Sequence, residues 1–544
     1  MKTKRILSLL LCAAAVGVIV YLGSISSSLP TTGSLEEMGN ALGIFSLMPT
    51  MLAVFLSFLT GNVVLALLIG IVAGELMLCV MNGAGFIESA SHILPNTINE
   101  ILEVISDSSS AQVLLLCALV GGLVGVLIKS GGFMALAKSI SRKINTPKRA
   151  NLAGQLFCTL FFFDDYANAL ISGPVLQPVT DKAKVSRERL SYIVDSTAAP
   201  VAGIAVVSSW VAVEMSVIEE GLKVASIQSS SFEIFVSSIP YCFYCIFALA
   251  FILMTTLMGR EYGPMLEAER RSRTGVTLKE GSVVAVNTSE EVPLPEKKEK
   301  LGILVSFGSI AVLVIYAVVS FINGKGDTIE LLLQAALFCS LLATIAGTAF
   351  GLFKIDEGIN AWLSGASNLM PTITVLLLAW SLASIVEKLG TVYFVVELIS
   401  SGITWSLVPV IIFVSCCFIS FAAGSYGCMF MVMPMAIPIA FAVMSGSSVE
   451  LNQNFLLLCI SAVLTGGIFG DHCSPMTDCT ILAALGSGCE VMDHVVTQMP
   501  YALTVAAISL ICIFVTTIGV PVWVSIIAGL AIMALIIRTV GKKV

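Results

Sequence analysis

Charged side chains are scarce in this sequence. Asp, Glu, Lys and Arg make up 12% of its 544 residues, and 57% of the residues are hydrophobic. An average globular protein carries about 25% charge. Length alone would suggest roughly three or four soluble domains, but the shortage of charge excludes a set of soluble domains.

Short segments of alternating polar and apolar residues, which transmembrane β-barrels need, are missing too. The apolar runs are continuous instead, and many reach the roughly 17–25 residues that cross a hydrocarbon core about 30 Å thick. The candidate spans are 6–22, 43–60, 62–81, 111–132, 190–213, 234–258, 301–322, 331–353, 368–387, 454–483, 500–519 and 521–538. These runs predict an all-α polytopic membrane protein.

The cysteines offer no obvious chemistry, although there are 15 of them. Cys242 and Cys245 form a CxxC spacing without the βαβ context of a redox motif. We interpret them, like Cys473 and Cys479, as small apolar filler. We therefore expect no disulfide framework, no cysteine metal site and no cofactor.

Lysine and arginine set the orientation of the chain. If 151–180 and 405–444, both broken by Gly and Pro, are re-entrant hairpins, 24 of the 28 basic residues fall on the cytoplasmic side. Both termini are then cytoplasmic. The basic start and first apolar run are either a cleaved signal peptide or an uncleaved span, and the uncleaved span fits this topology. The outer loops are acidic and hold Glu36, Glu37, Glu88, Glu100, Glu103, Asp107, Glu214, Glu219 and Glu220.

The two halves of the chain resemble each other at an offset of 259–260 residues. The matched pairs are Lys129 with Lys388, Gly131 with Gly390, Ile140-Ser141 with Ile399-Ser400, Phe161 with Phe421, Tyr166 with Tyr426, Pro174 with Pro434, and Pro178 with Pro438. An odd number of span steps separates the copies, so the second copy is inverted. Inverted repeats with interrupted helices are typical of secondary transporters. Duplication without transport, as in some channels and scaffolds, is the alternative.

This pattern predicts six segments. They are N-terminal helices (1–110), a first repeat (111–258, hairpin 151–180), a solvated cytoplasmic linker (259–300), connecting spans (301–353), a second repeat (368–519, hairpin 405–444), and a C-terminal span with a cytoplasmic tail (521–544).

Ionisable residues inside membrane spans are costly and usually functional. Here they are Glu75, Asp164, Asp165, Asp195, Asp471, His472 and Asp478. Asp164 and Asp165 are adjacent in FFFDDYANALISGP, so on one helix their side chains point about 100° apart. One can face a transport path while the other caps a half-helix; two surface aspartates at a hairpin mouth are the alternative.

Asp195 lies in YIVDSTAAPVAGI, followed by Ser196, Thr197 and Pro200. Proline removes a helix hydrogen bond, so we expect the helix to unwind here. Unwinding would expose carbonyl and hydroxyl oxygens beside a carboxylate, which are ligands that a hard cation such as Na⁺ prefers. An aspartate that only caps a helix is the alternative.

TGGIFGDHCSPMTDCT has the same character in the second half. Pro475 is expected to end the helix at or before Ser474, and Thr477 adds a second hydroxyl. Asp471 and Asp478 flank this break. We therefore predict a Na⁺ site in the region of Asp195, Asp471 and Asp478.

The intramembrane set is rich in acids and contains no arginine, which favours cations. A carboxylate in a low dielectric binds either a proton or a metal cation, and competition between the two produces antiport under alternating access. Asp164, Asp165, His472 and Glu75 are candidates for a proton path. An ordinary imidazole titrates near pH 6.5, but His472 as a satisfied structural histidine stays equally open.

FDDYANALISGP, SRERLSYIVDSTAAPVAGI, FGDHCSPMTDCTIL and HVVTQMPYAL together resemble the NhaC family of sodium/proton antiporters, within the ion-transporter superfamily. The similarity covers about 45–520. It implies an inner-membrane exchanger of Na⁺ or Li⁺ for H⁺, with two inverted repeats and an elevator-like homodimer. On this resemblance Asp195, Ser196 and Thr197 belong to one half of the core. Asp471, Ser474, Pro475 and Asp478 belong to the other half, and Asp164-Asp165 matches a less uniform part of the pattern.

The substrate stays open at this point. Members of the family are also described as malate/lactate exchangers, and some are associated with amino acid uptake, so transport of a small organic anion or amino acid coupled to Na⁺ or H⁺ is the alternative. An intramembrane aspartyl protease is disfavoured, because no Tyr-Asp pair occurs and Gly467 to Asp471 is one residue too long for GxGD. The expected partners are Na⁺, H⁺ and the lipid bilayer, with no nucleic acid and no enzymatic activity.

Overall fold

The computed structural model describes residue 17 and residues 35–60, 62–81, 86–141, 144–225, 227–282, 296–322, 328–391, 393–394, 404–446, 453–475 and 477–544. The candidate span 6–22 lies outside the described residues apart from residue 17. Within these ranges the chain is almost entirely helical, and ten helices are long and apolar enough to cross a membrane.

The first half contains twelve α-helices among the described residues. They are α1 (Leu35–Leu42), α2 (Met48–Thr60), α3 (Val63–Met81), α4 (Phe86–Ser106), α5 (Ser108–Lys129), α6 (Gly132–Ser141), α7 (Pro147–Thr159), α8 (Asp165–Lys182), α9 (Arg187–Ala202), α10 (Ser209–Val224), α11 (Ser231–Ser238) and α12 (Phe243–Met258). Short 3-10 turns are Gly43–Leu47 and Ile239–Tyr241.

The rest of the described chain is also mostly helical. Its elements are β1 (Arg260–Glu261), α13 (Gly263–Arg273), a 3-10 turn (Glu296–Lys298), α14 (Glu299–Ile322), α15 (Thr328–Ala349), α16 (Ile355–Asn368), α17 (Met370–Lys388), a 3-10 turn (Trp405–Leu407), α18 (Val408–Gly446), α19 (Gln453–Cys473), α20 (Asp478–Ser487), α21 (Val491–Thr517), α22 (Val522–Thr539) and β2 (Lys542–Lys543). The two strands pair antiparallel.

The predicted fold class is confirmed. Each half has a helical hairpin, formed by α7 and α8 in the first half and by α18, which breaks at Gly424 (φ 71°, ψ 171°), in the second. Each hairpin is followed by an interrupted helix, α9 with α10 and α19 with α20.

The repeat is also visible in the backbone. Gly131 and Gly390 follow the matched helices α5 and α17, and their φ angles are 68° and 66°. A left-handed residue just past a helix end is the usual C-terminal cap, and glycine adopts it without a Cβ penalty. The two KxG motifs therefore end their helices in the same way.

Two features differ from the sequence-based expectation. The predicted single span 190–213 is two helices, α9 and α10, separated at 203–208, and Glu214 lies inside α10 rather than in an outer loop. Part of the region after 81, which was assigned to an outer loop, forms α4. This helix has one polar and one apolar face, so it is too polar to be a span.

The linker 259–300 is not wholly solvated, which corrects that prediction. Its first part forms β1 and α13, and Glu261 and Glu269 are buried. Glu269 Oε1 accepts the Ser186 N–H at 2.8 Å, next to the start of α9. The many charged residues of this segment predicted that it is exposed to solvent. The prediction failed because these acids are paired inside the fold.

The chain forms two compact units. The first contains Met1–Ala111, Glu214–Tyr241 and Pro371–Gly470, and the second contains Gln112–Val213, Cys242–Met370 and Asp471–Val544. Each unit therefore draws helices from both halves of the sequence, so residues almost 300 positions apart can meet inside the second unit.

We expect Gly390→Ala to destabilise the protein more than Gly259→Ala. Both glycines have left-handed φ angles, 66° and 60°, so each alanine costs about 1–2 kcal/mol of backbone strain. A Cβ at Gly390 would also overlap the carbonyl oxygen of Leu35, whereas a Cβ at Gly259 meets nothing within 4 Å. Thermal unfolding of the purified variants in detergent measures the difference, and equal melting temperatures would contradict it.

Candidate functional site

Asp195 is the centre of a buried polar cluster in the second unit. It lies on α9, where every side chain from Glu188 to Ala202 is buried. Its Oδ2 atom lies 2.6 Å from Gln498 Nε2, 3.1 Å from His494 Nε2 and 3.3 Å from the Thr480 hydroxyl. Helices α9, α20 and α21 thus converge on one carboxylate oxygen.

The helix containing Asp195 is not unwound at Pro200, which corrects the prediction of a break there. α9 continues through Pro200 and ends at Ala202, so Asp195, Ser196 and Thr197 are helical. Proline removes one hydrogen bond and crowds the carbonyl four residues before it, but α9 continues for only two residues beyond Pro200. The Thr197 hydroxyl donates to the Ile193 carbonyl at 2.6 Å, and Ser196 is buried beside it.

The break predicted at Pro475 is present. α19 ends at Cys473 and α20 begins at Asp478. The Asp471 carbonyl accepts hydrogen bonds from the hydroxyls of Thr477 and Thr480, both at 2.9 Å. Thr477 also donates to the Ser474 carbonyl at 3.2 Å.

Thr480 connects the two predicted halves of the site. Its hydroxyl lies within hydrogen-bonding distance of both the Asp471 carbonyl and Asp195 Oδ2. The structure therefore brings Asp195 close to the main chain of Asp471, whose side chain is buried. Asp478 begins α20, and its side chain lies outside what the structure describes.

His472 contacts the opposite side of the same break. Its Nδ1 atom is 2.9 Å from the Tyr244 hydroxyl on α12. Its carbonyl accepts from Gln498 Nε2 at 2.9 Å. Gln498 therefore donates one amide hydrogen to the broken backbone and the other to Asp195.

Four side-chain atoms around the break and Asp195 are buried and have no hydrogen-bond partner in the described part of the chain. They are Asp195 Oδ1, Gln498 Oε1, His494 Nδ1 and His472 Nε2. Buried polar atoms are almost always paired. Two of the four are oxygens that can only accept, and such oxygens suit a bound cation or proton.

The two hairpin aspartates have different surroundings. Asp164 is the N-cap of α8, and its Oδ1 accepts the Ala167 N–H at 2.7 Å. Asp165 Oδ2 lies 3.0 Å from the thiol of Cys479 on α20. Cys479 is therefore a polar contact of the hairpin, and the interpretation of this cysteine as filler was wrong.

Glu75 does not belong to this cluster. It is buried on α3 in the first unit, beside Asn96 and near Glu100 and Lys388. Lys388 pairs with Glu100 at 2.7 Å.

Sequence reasoning missed His494, Gln498, Thr480 and Tyr244. The predicted span began at 500, whereas α21 begins at Val491, so His494 and Gln498 fell outside it. A signal was present, because two polar residues four positions apart share one helix face. Their pairing with Asp195, 299 and 303 positions away, required the tertiary structure.

Comparisons with known proteins agree with this architecture. A model of the Na⁺/H⁺ antiporter family matches residues 201–518, which include His494 and Gln498 and begin after Asp195. An uncharacterized protein of Haemophilus influenzae is 30% identical over 493 residues, covering 87% of this chain and 90% of that protein.

Two solved structures align with the chain. The YdaH transporter of Alcanivorax borkumensis, described as having an unusual topology, aligns with a TM-score of 0.53 and 12% identity over 80% of this chain and 90% of its own. MtrF of Neisseria gonorrhoeae, from a class of antimetabolite efflux pumps, aligns with a TM-score of 0.44 and 14% identity over 79% and 84%. The first of these likenesses supports the fold assignment.

We expect Gln498→Leu to lower the free energy of unfolding by about 1–3 kcal/mol, because two buried acceptors lose their donor. The matched control is Gln334→Leu, since the Gln334 side chain also makes two hydrogen bonds but is exposed on α15. That change should stay within about 0.5 kcal/mol. Unfolding in detergent compares the two, and equal losses would contradict a special role for Gln498.

Proposed function

The chain belongs to the Na⁺/H⁺ antiporter family, and on that premise we propose that it exchanges Na⁺ or Li⁺ for H⁺ across the cytoplasmic membrane. The observation that carries the proposal is the Asp195 cluster, with two buried oxygens, Asp195 Oδ1 and Gln498 Oε1, that have no partner among the described residues. A carboxylate beside an imidazole can hold one positive charge, either as a proton or as a metal cation.

In this mechanism the proton and the cation compete for the same atoms. His494 Nε2 lies 3.1 Å from Asp195 Oδ2, which leaves His494 Nδ1 and Asp195 Oδ1 as the atoms to be occupied. A proton on either atom lowers the attraction for Na⁺, and bound Na⁺ disfavours the proton by like-charge repulsion. Alternating access then couples release of one ion to binding of the other.

Ser196, Thr197, Ser474, Thr477, Asp471 and Asp478 remain the further candidates for cation ligands in this proposal, with Na⁺ in the region of Asp195, Asp471 and Asp478. Hydroxyl and carbonyl oxygens are suitable ligands for a hard cation. Asp164, Asp165 and His472 are the candidates for proton transfer to that region, because all three are buried in the second unit.

Within the family, the quoted motifs favour the NhaC group. We extend the proposal to the properties that this resemblance implies, namely a homodimer in a bacterial inner membrane, an elevator-like movement and cytoplasmic termini. Cross-linking of single-cysteine variants in the membrane tests the oligomeric state, and labelling of single cysteines introduced near each terminus, applied from either side, tests the orientation.

The alternative, carriage of a small organic anion or amino acid, has less support from the site. The hydrogen-bond partners of Asp195 among the described residues are His494, Gln498 and Thr480, with no Lys or Arg. Proteoliposomes containing the purified protein distinguish the two functions. Na⁺-driven proton movement is the expected result; uptake of malate, lactate or an amino acid without it would replace the proposal.

We expect Asp195→Asn and Asp478→Asn each to abolish Na⁺-driven proton movement while leaving expression intact. An amide keeps the size of the side chain but carries no charge for a cation and does not titrate. Asp356→Asn is the matched control, because Asp356 is exposed at the start of α16. Exchange at the wild-type rate in both site variants would refute the site assignment.

A further inference from the structure

One carboxyl group outside the Asp195 cluster has no partner at all among the described residues. Glu214 lies on α10, the second part of the interrupted helix of the first half, and its side chain is 0% exposed. Neither of its carboxyl oxygens makes a hydrogen bond to any described residue. It is not one of the candidate site residues that the sequence singled out.

The described residues of α10 and of α18 offer no charge to balance Glu214. In the first unit α10 packs against α18, where a Cβ added at Gly221 would lie 2.8 Å from Ile437. α18 contains no Asp, Glu, His, Lys or Arg in its 39 residues. On α10 itself the only cation is Lys223, which pairs with Glu219 at 3.3 Å. Glu220 is the remaining titratable group of that helix.

Other buried glutamates of the protein are treated differently. Each of three is paired with an arginine, and the pairs are Glu188 with Arg271 at 2.8 Å, Glu261 with Arg189 at 3.3 Å and Glu269 with Arg273 at 2.7 Å. These acids are explained by structure, because a buried charge needs a partner. Glu214 has no such explanation.

An ionised carboxylate without partners in an apolar interior is so costly that the group takes up a proton instead. Such groups persist in membrane segments mainly where the transport process uses them. We propose that Glu214 binds a proton as a second coupling site, separate from the Asp195 cluster, and exchanges this proton once in each transport cycle. The inference rests on the proposed Na⁺/H⁺ exchange.

The chemistry is a simple acid–base equilibrium. When the protein opens to one side, a proton from water forms the O–H bond of the Glu214 carboxyl. When the protein opens to the other side, that bond breaks and the proton returns to water.

The test is the number of protons exchanged per Na⁺, obtained in proteoliposomes from the membrane potential and ion gradients at which net flux stops. Glu214→Gln is permanently neutral and should lower the ratio by one proton per Na⁺. Glu214→Asp can still titrate and should keep the wild-type ratio. Glu219→Gln is the matched control, because it removes a partly exposed, paired acid from the same helix. An unchanged ratio in Glu214→Gln would overturn the inference.

A second measurement covers the case in which Glu214→Gln abolishes all flux. The infrared spectrum of the wild-type protein should show the carbonyl band of a protonated carboxylic acid that is missing from the spectrum of Glu214→Gln. If the band is the same in both proteins, Glu214 is not protonated and the inference fails. If the wild-type protein shows no Na⁺-driven proton movement but the band is lost in the variant, the exchange proposal fails while the protonation of Glu214 stands.

Discussion

A broken helix inside an apolar protein must find partners for the backbone groups that the break sets free. Between α19 and α20 this need is met by side chains: Thr477 and Thr480 donate to the Asp471 carbonyl, and Gln498 donates to the His472 carbonyl. Thr480 and Gln498 are also two of the partners of Asp195. The side chains that satisfy the free backbone carbonyls are therefore also partners of Asp195. A movement of the segment between α19 and α20 would necessarily disturb Asp195.

The same arrangement leaves oxygen atoms that can receive positive charge in the proposed exchange. Asp195 Oδ1 and Gln498 Oε1 have no partner among the described residues. The nearest strongly basic residue on α9 is Arg189, six positions before Asp195, or about 9 Å along a helix. Arg189 is paired with Glu261 and bound by the hydroxyls of Thr255 and Thr256, so its charge is neutralised locally.

Much of the fold was predictable, because long apolar runs, glycine and proline act locally. The two KxG motifs, the hairpins and the break at Pro475 all follow from such signals. The prediction that the helix unwinds at Pro200 was wrong, because a proline near the end of a helix costs too little free energy to unwind it. His494 and Gln498 could not be assigned to Asp195 from the sequence, since that pairing depends on which helices share a compact unit. The buried state of Glu214 was hidden for a related reason, because a charge at the end of an apolar run is equally compatible with a loop.

Asp195 and Glu214 are two buried acids with opposite surroundings, and the contrast indicates how the work of an exchanger can be divided. Three polar groups converge on one oxygen of Asp195 and favour its charged form, which is the form that attracts Na⁺. No described group contacts the carboxyl of Glu214, which favours the neutral, protonated form. Two titratable groups whose environments differ in this way can carry out different steps of one reaction. In the proposed exchange, Asp195 binds the cation and a proton in turn, and Glu214 carries one additional proton in each cycle.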